Sequence, residues 1–154
     1  MTVELLDYGP EDVVTIGVSW LTPMLELPTF TGGQVSNTRR AGDPLPFIHV
    51  NSIAGEESVE ESDTDEVLSI HTLFRKGNGE ASAILAFQDG WRAVHQRMLL
   101  LSQFLEDIAL PGGRIATVDY CSVFSRPRTE EYGDDLILRK VGRYRIGLSY
   151  AKLL

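Results

Sequence analysis

Apolar residues recur along this chain with two periods, and each change of period marks an element. In "PFIHVNSI" Ile48 and Val50 alternate with His49 and Asn51, and in "EVLSIHTLF" Leu68, Ile70 and Phe74 alternate with Ser69 and His71. A period of two gives a segment one apolar and one polar side, which predicts two strands. The same parity recurs later. "RIATVDYCSVF" sets Val118, Tyr120 and Phe124 against Thr117, Asp119 and Cys121, and "GRYRIGLSYAKL" sets Tyr144, Ile146, Leu148 and Tyr150 against Arg143, Arg145 and Ser149. Between these pairs, Phe87, Trp91, Val94, Met98, Leu101, Leu105 and Ile108 fall at spacings of three and four, ending at a Pro-Gly-Gly stop. That stripe predicts a long helix covering the sheet. Gly90 inside it costs about 1 kcal/mol against Ala, a cost that close packing would explain. Near the start, "GPEDVVTIGVSWL" predicts a further helix: Pro10 suits the first turn, Glu11 and Asp12 suit its positive end, and Pro23 bounds it. The predicted fold is α+β, a mostly antiparallel sheet of about four to five strands packed against one long helix, with an additional N-terminal helix.

The segments between these elements differ in composition. Residues 23–46 are rich in Pro, Gly, Thr and Ser and read as a connecting arm, with a short strand near Val35. Residues 54–66 hold mostly Glu, Asp and Ser and read as an acidic loop between the two central strands. "SRPRTEEYGDDLILRKVG" is too long for a tight hairpin and reads as a contact arm. A chain of 154 residues with 43% apolar content fits one domain spanning 1–154. The N-terminus has acids where a signal peptide needs a basic region, and no apolar run reaches membrane-spanning length, so the expectation is synthesis in the cytoplasm and no membrane partner. The closing Leu153 and Leu154 are expected to tuck into the sheet or against a neighbour.

Net charge of -8 opposes gripping DNA or an anionic membrane through a basic surface. The acidity is local to the run from Glu56 to Glu66, since acids and bases nearly cancel elsewhere. One cysteine, Cys121, forms neither an internal disulfide nor a thiolate cluster. Parity puts His49, His71, Asp119 and Cys121 on one polar sheet face, where converging imidazoles and a carboxylate would suit a metal that activates water. None of the close spacings of metal motifs is present, and "KGNGE" lacks the Lys-Ser/Thr ending of a phosphate loop. No cofactor is expected.

The words "LPFIHVNSIAG" and "RYRIGLSYAKL", with the order helix, linker, strand, strand, long helix and final strand, resemble the tail terminator proteins of long-tailed bacteriophages. The resemblance runs from about Pro10 onward, in element order. It implies a structural protein of the virion, not an enzyme. Such a protein forms a ring, usually hexameric, at the head-proximal end of the tail tube, stops tube polymerisation and provides the docking surface for the head-side connector. Its partners would be further copies of itself, the tail tube protein and the head-tail connector protein, with DNA passing through the channel without specific binding.

Charge then gains a purpose within that reading. Glu56, Glu57, Glu60, Glu61 and Asp63 would either line the channel and repel phosphates or meet basic patches on a neighbour, while a plain solvated loop needs no such purpose. Arg39 and Arg40 precede a Gly-Asp-Pro turn, and Arg126, Arg128, Arg139, Lys140, Arg143 and Arg145 gather around the second long loop and the last strand. In a ring each copy offers two different patches to its neighbours, so acidic and basic segments are expected to meet across subunits. The alternatives are another head-tail neck component, or a metal-dependent hydrolase on the polar sheet face. A tube subunit fits less well, because it would spend its chain on a β-sandwich instead of a long covering helix.

Overall fold

The computed structural model describes residues 11–58, 63–77, 80–104, 107–133 and 136–151, with backbone alone over 54–58, at 63 and 64, and at 151. Pro10, Glu60, Glu61, Leu105, Leu153 and Leu154, to which the sequence assigns places, lie outside the described residues or side chains. Helix α1 spans Asp12–Leu21 and stops before Pro23, passing into short 3-10 turns at Thr22–Glu26 and Pro28–Phe30. Strand β1 (Gln34–Ser36) falls where a short strand is expected near Val35. Then follow β2 (Phe47–Ser58), β3 (Asp63–Arg75), helix α2 (Ala81–Leu100), β4 (Ile108–Leu110), β5 (Arg114–Glu130) and β6 (Ile137–Ala151).

The fold is α+β. The strands form one six-stranded sheet in the order β1-β2-β3-β6-β5-β4. Every pairing is antiparallel except β1 with β2, so the sheet is mixed and larger than the periodicity predicts. Three-residue strands such as β1 and β4 are too short to show a period. Both helices pack on one face. Val13 and Ile16 from α1 join Phe87, Val94 and Met98 from α2, and Ile48, Val50, Leu68, Ile70, Tyr144, Ile146 and Leu148 from the sheet, in one core. The two helices also clasp each other: the Trp20 indole N–H donates to the Arg97 carbonyl at 2.8 Å, and Arg97 Nε–H donates to the Trp20 carbonyl at 2.9 Å. The guanidinium of Arg97 lies 3.6 Å from the centre of the same indole, a cation–π contact.

Four sequence expectations need correction. The helical stripe ends early: after α2 comes a 3-10 turn at Leu101–Gln103, Phe104 is extended, and Ile108 pairs with Ala116 in the sheet. A residue of a short strand can fall at helical spacing by chance. Trp91 is half-buried instead of being a core anchor; Lys140 Nζ lies 4.3 Å from its ring centre.

The two long loops are mostly strand. The acidic segment is a paired ladder, with Glu56 opposite Asp65, Glu57 opposite Thr64 and Ser58 opposite Asp63. Likewise Arg126 and Arg128 belong to β5, and Arg139 and Lys140 to β6, with Glu130 opposite Arg139. Alternating charge along a strand is a solvated ladder as readily as a loop.

Parity also fails along β5. Register shifts between Val118 and Tyr120, and again between Val123 and Ser125, turn the later side chains over. Val118 and Cys121 are buried, while Tyr120 and Phe124 are exposed. A bulge inserts one residue into a strand and so reverses the faces beyond it.

Candidate interaction surface

Directly opposed residues of an antiparallel sheet share a face, so the register defines the side away from the helices row by row. Phe47, Leu73, Arg139 and Glu130 form one row, and His49, His71, Val141 and Arg128 the next. Asn51, Ser69, Arg143 and Ser125 follow. Expected to be polar throughout, this face is apolar at its first rows: Phe47, Leu73 and Val141 are fully buried outside the main core.

Chain from two distant segments covers them. The Arg39 guanidinium lies 5.6 Å from the Phe47 ring centre and 5.7 Å from that of Tyr132, and its Nη1 donates to the Tyr132 hydroxyl at 3.1 Å. Arg139 lies 5.6 Å from the same tyrosine ring. Its Nη2 donates to the Glu131 carbonyl at 2.6 Å. Tyr132 is therefore held by two guanidiniums, and the turn after β5 is fastened to the arm before β2.

Glu130 is the hub of the cluster. Its carboxylate lies 3.0 Å from Arg128 Nε, 3.5 Å from Arg139 Nη2 and 3.7 Å from Arg143 Nη2. Next to these cations, His71 has its Nε2 3.0 Å from the Ser69 hydroxyl and its ring 5.6 Å from that of His49. Burial first, then His49 and the positive charges of Arg139 and Arg143, lower the His71 pKa to about 4, against the opposing pull of Glu130. The imidazole is neutral at pH 7. Beside the cluster opens a groove of about 480 Å³ lined by Lys76, Thr129, Glu130, Tyr132, Leu138 and Arg139 among others. Several partly exposed cations sharing one carboxylate can receive a further anionic group from outside.

The sequence-predicted residues divide between two ends of the face. Arg39, Arg128, Arg139 and Arg143 come together. Arg40 stays in its turn, where its backbone N–H donates to Asp43 at 2.7 Å, and Arg126 is exposed on β5. Arg145 sits with the acids instead: its Nε is 3.8 Å from Asp65, which also accepts from the Tyr120 hydroxyl at 2.7 Å. Glu56 and Asp63 hold outer-face register positions at that end, whereas Glu57 pairs with Thr64 on the helix side. Sequence reading missed Glu130 and Tyr132. Arg128 and Glu130 two apart was the available signal, since residues at that spacing share a strand face.

Of the four residues of the metal reading, His49 and His71 stay opposite each other, while Asp119 and Cys121 lie apart from them. His49 Nε2–H donates to the Asn37 carbonyl at 3.0 Å, and Asp119 accepts from Ser149 near the other end of the sheet. Cys121 turns inward, where its thiol donates to the Met98 carbonyl at 3.4 Å. Among the described residues no three of His, Cys, Asp and Glu are grouped to hold a metal ion. Comparison with protein-family models and with curated proteins finds no match to this chain.

Proposed function

We propose that this chain is a structural subunit that assembles in a ring at the head-proximal end of a phage tail tube. There it ends tube polymerisation and presents a docking surface to the head-side connector, as the resemblance to tail terminators implies. The observation that carries the reading is the outer half of the β5–β6 ladder. From Ser122 to Glu130 no residue of β5 is buried, and Val123 and Phe124 are exposed apolar side chains on it. A single copy gains little from exposing apolar side chains along a strand; an assembly gains a contact arm. The arginine cluster and the acidic ladder add charged patches at opposite ends of one face, the form that register-setting contacts take.

The test is imaging of long-tailed particles by electron microscopy with this chain labelled, and of tails made when its gene is deleted. The expected result is one labelled ring per particle at the head-proximal tail end, and overlong tails in the deletion. Tails of normal length, or particles without the label, would remove the terminator reading. A label at the neck with normal tail length would favour another head-tail connector component.

A further inference from the structure

We infer that the arginine end of the outer sheet face receives the acidic end of the same face in a second copy of this chain. The inference rests on the ring reading and names the contact that would build the ring. Arg128, Arg139 and Arg143 share the one carboxylate of Glu130. Arg39 makes no ion pair among the described residues; the Tyr132 hydroxyl and, at 3.5 Å, the Asp43 carbonyl hold it. The Nε atoms of Arg39 and Arg139 are buried without a hydrogen-bond partner among the described residues. Guanidiniums do not give up their proton when withdrawn from water, so among the described residues the cluster holds more positive than negative charge and favours a further anion. Glu131, the other acid lining the groove, shares that lining with Lys76.

A matching negative charge exists on the same molecule, out of reach. Asp65 lies on the outer face of β3, and Glu56 and Asp63 hold outer-face register positions beside it. From the Phe47–Leu73 pair, beside Arg39, to the Glu56–Asp65 pair the ladder runs roughly 27 Å at strand rise, about three Debye lengths at physiological salt. Arg39 is therefore beyond the reach of these acids within one chain. With one basic and one acidic end per copy, the contact joins unlike patches, the kind that can pass from copy to copy around a ring. DNA competes poorly for the arginines, because the same face carries the acids and the whole chain has net charge -8.

The experiment is sedimentation of the full chain over a range of concentrations, at about 0.05 M and about 0.5 M salt. The wild type is expected to self-associate, on the order of tenfold more weakly at the higher salt. Arg128→Glu, at the exposed guanidinium of the cluster, and the pair Glu56→Arg with Asp63→Arg should each stay single with unchanged circular dichroism, and an equal mixture of the two should associate again. Arg39→Gln, which keeps a donor for Tyr132, should weaken association without touching the fold. A wild type that stays single, association indifferent to both reversals, or a mixture that does not recover overturns the inference. Failure here with overlong tails on deletion would remove only this contact. Charge-dependent association with tails of normal length would remove only the terminator reading.

Discussion

Gly90 of α2 lies against the tip of the Phe74 ring on β3, so close that a Cβ at this position would run into the ring. Phe74 cannot step aside, because Phe30 and Phe87 meet it edge-on with ring centres 5.5 and 6.0 Å away. Gly90→Ala should therefore lower the unfolding midpoint in urea even though Ala is the better helix former by about 1 kcal/mol. Overpacking of about 1–3 kcal/mol opposes that gain. A midpoint that rises would mean that helix and sheet do not approach this closely.

Leu101 and Trp91 share the predicted helical stripe, but they should respond differently to truncation. Leu101 has no exposed surface, and Leu101→Ala should cost about 2–5 kcal/mol through the cavity it leaves. Trp91 is half-buried beneath Lys140, and Trp91→Ala should cost clearly less in the same urea titration. Equal losses would restore Trp91 to the core.

Asp12 is buried at the start of α1, and its Oδ2 lies 2.6 Å from Nη1 of Arg114 at the start of β5. Arg114→Ala should cost roughly 3 kcal/mol, because it leaves a carboxylate out of water without its guanidinium. Removing both, as Asp12→Asn with Arg114→Leu, should cost less than the sum of the single changes. Strict additivity would mean that the pair is not coupled.

Stability should fall as pH drops from 6.5 toward about 4. His71 is held neutral in the fold, with its pKa lowered to about 4, but takes up a proton near 6.5 once unfolded. The unfolded state therefore binds more protons inside that window, and its share of the population grows as acid is added. Burial lowers the pKa of His95 as well, so it acts with the same sign. The difference in unfolding midpoint between wild type and His71→Gln should widen against the wild type across this window. A constant difference would show that His71 titrates normally.

Cys121 should resist alkylation in the native protein. Burial raises its thiol to about pKa 11 and the S–H points at the Met98 carbonyl. Mass spectrometry after iodoacetamide at pH 8 should find it unmodified in the fold and modified in urea, since the thiolate is the reactive form. Rapid labelling of the native protein would put β5 in a different register.

Local rules read β2, β3 and β6 correctly because each keeps one parity over the residues that meet the helices. They failed on β5, where bulges beside Val118 and Val123 reverse the faces that "VDYCSVF" displays. They also failed where partners are remote in sequence. Nothing near Arg39 announces Tyr132, 93 residues away, and nothing near Glu56 announces that Asp65 will sit opposite with Tyr120 and Arg145 to accept its charge. The N-terminal helix, the short strand at Val35 and the close approach at Gly90 were legible because each depends on its own few residues. The arginine surface depends on how separate strands are laid side by side, which no single segment encodes.

The strand order places β6, the last of the described strands in chain order, between β3 and β5 in the middle of the sheet. Until synthesis passes residue 137, β3 and β5 have no neighbour between them, and the nascent chain shows an unpaired edge on each. Closure thus waits for the segment from 137 onward, and the ladder it completes joins segments far apart in sequence, which folds slowly. A chain built this way cannot present a half-made outer face: the basic end, carried on β5 and β6, comes into being only when those two strands pair.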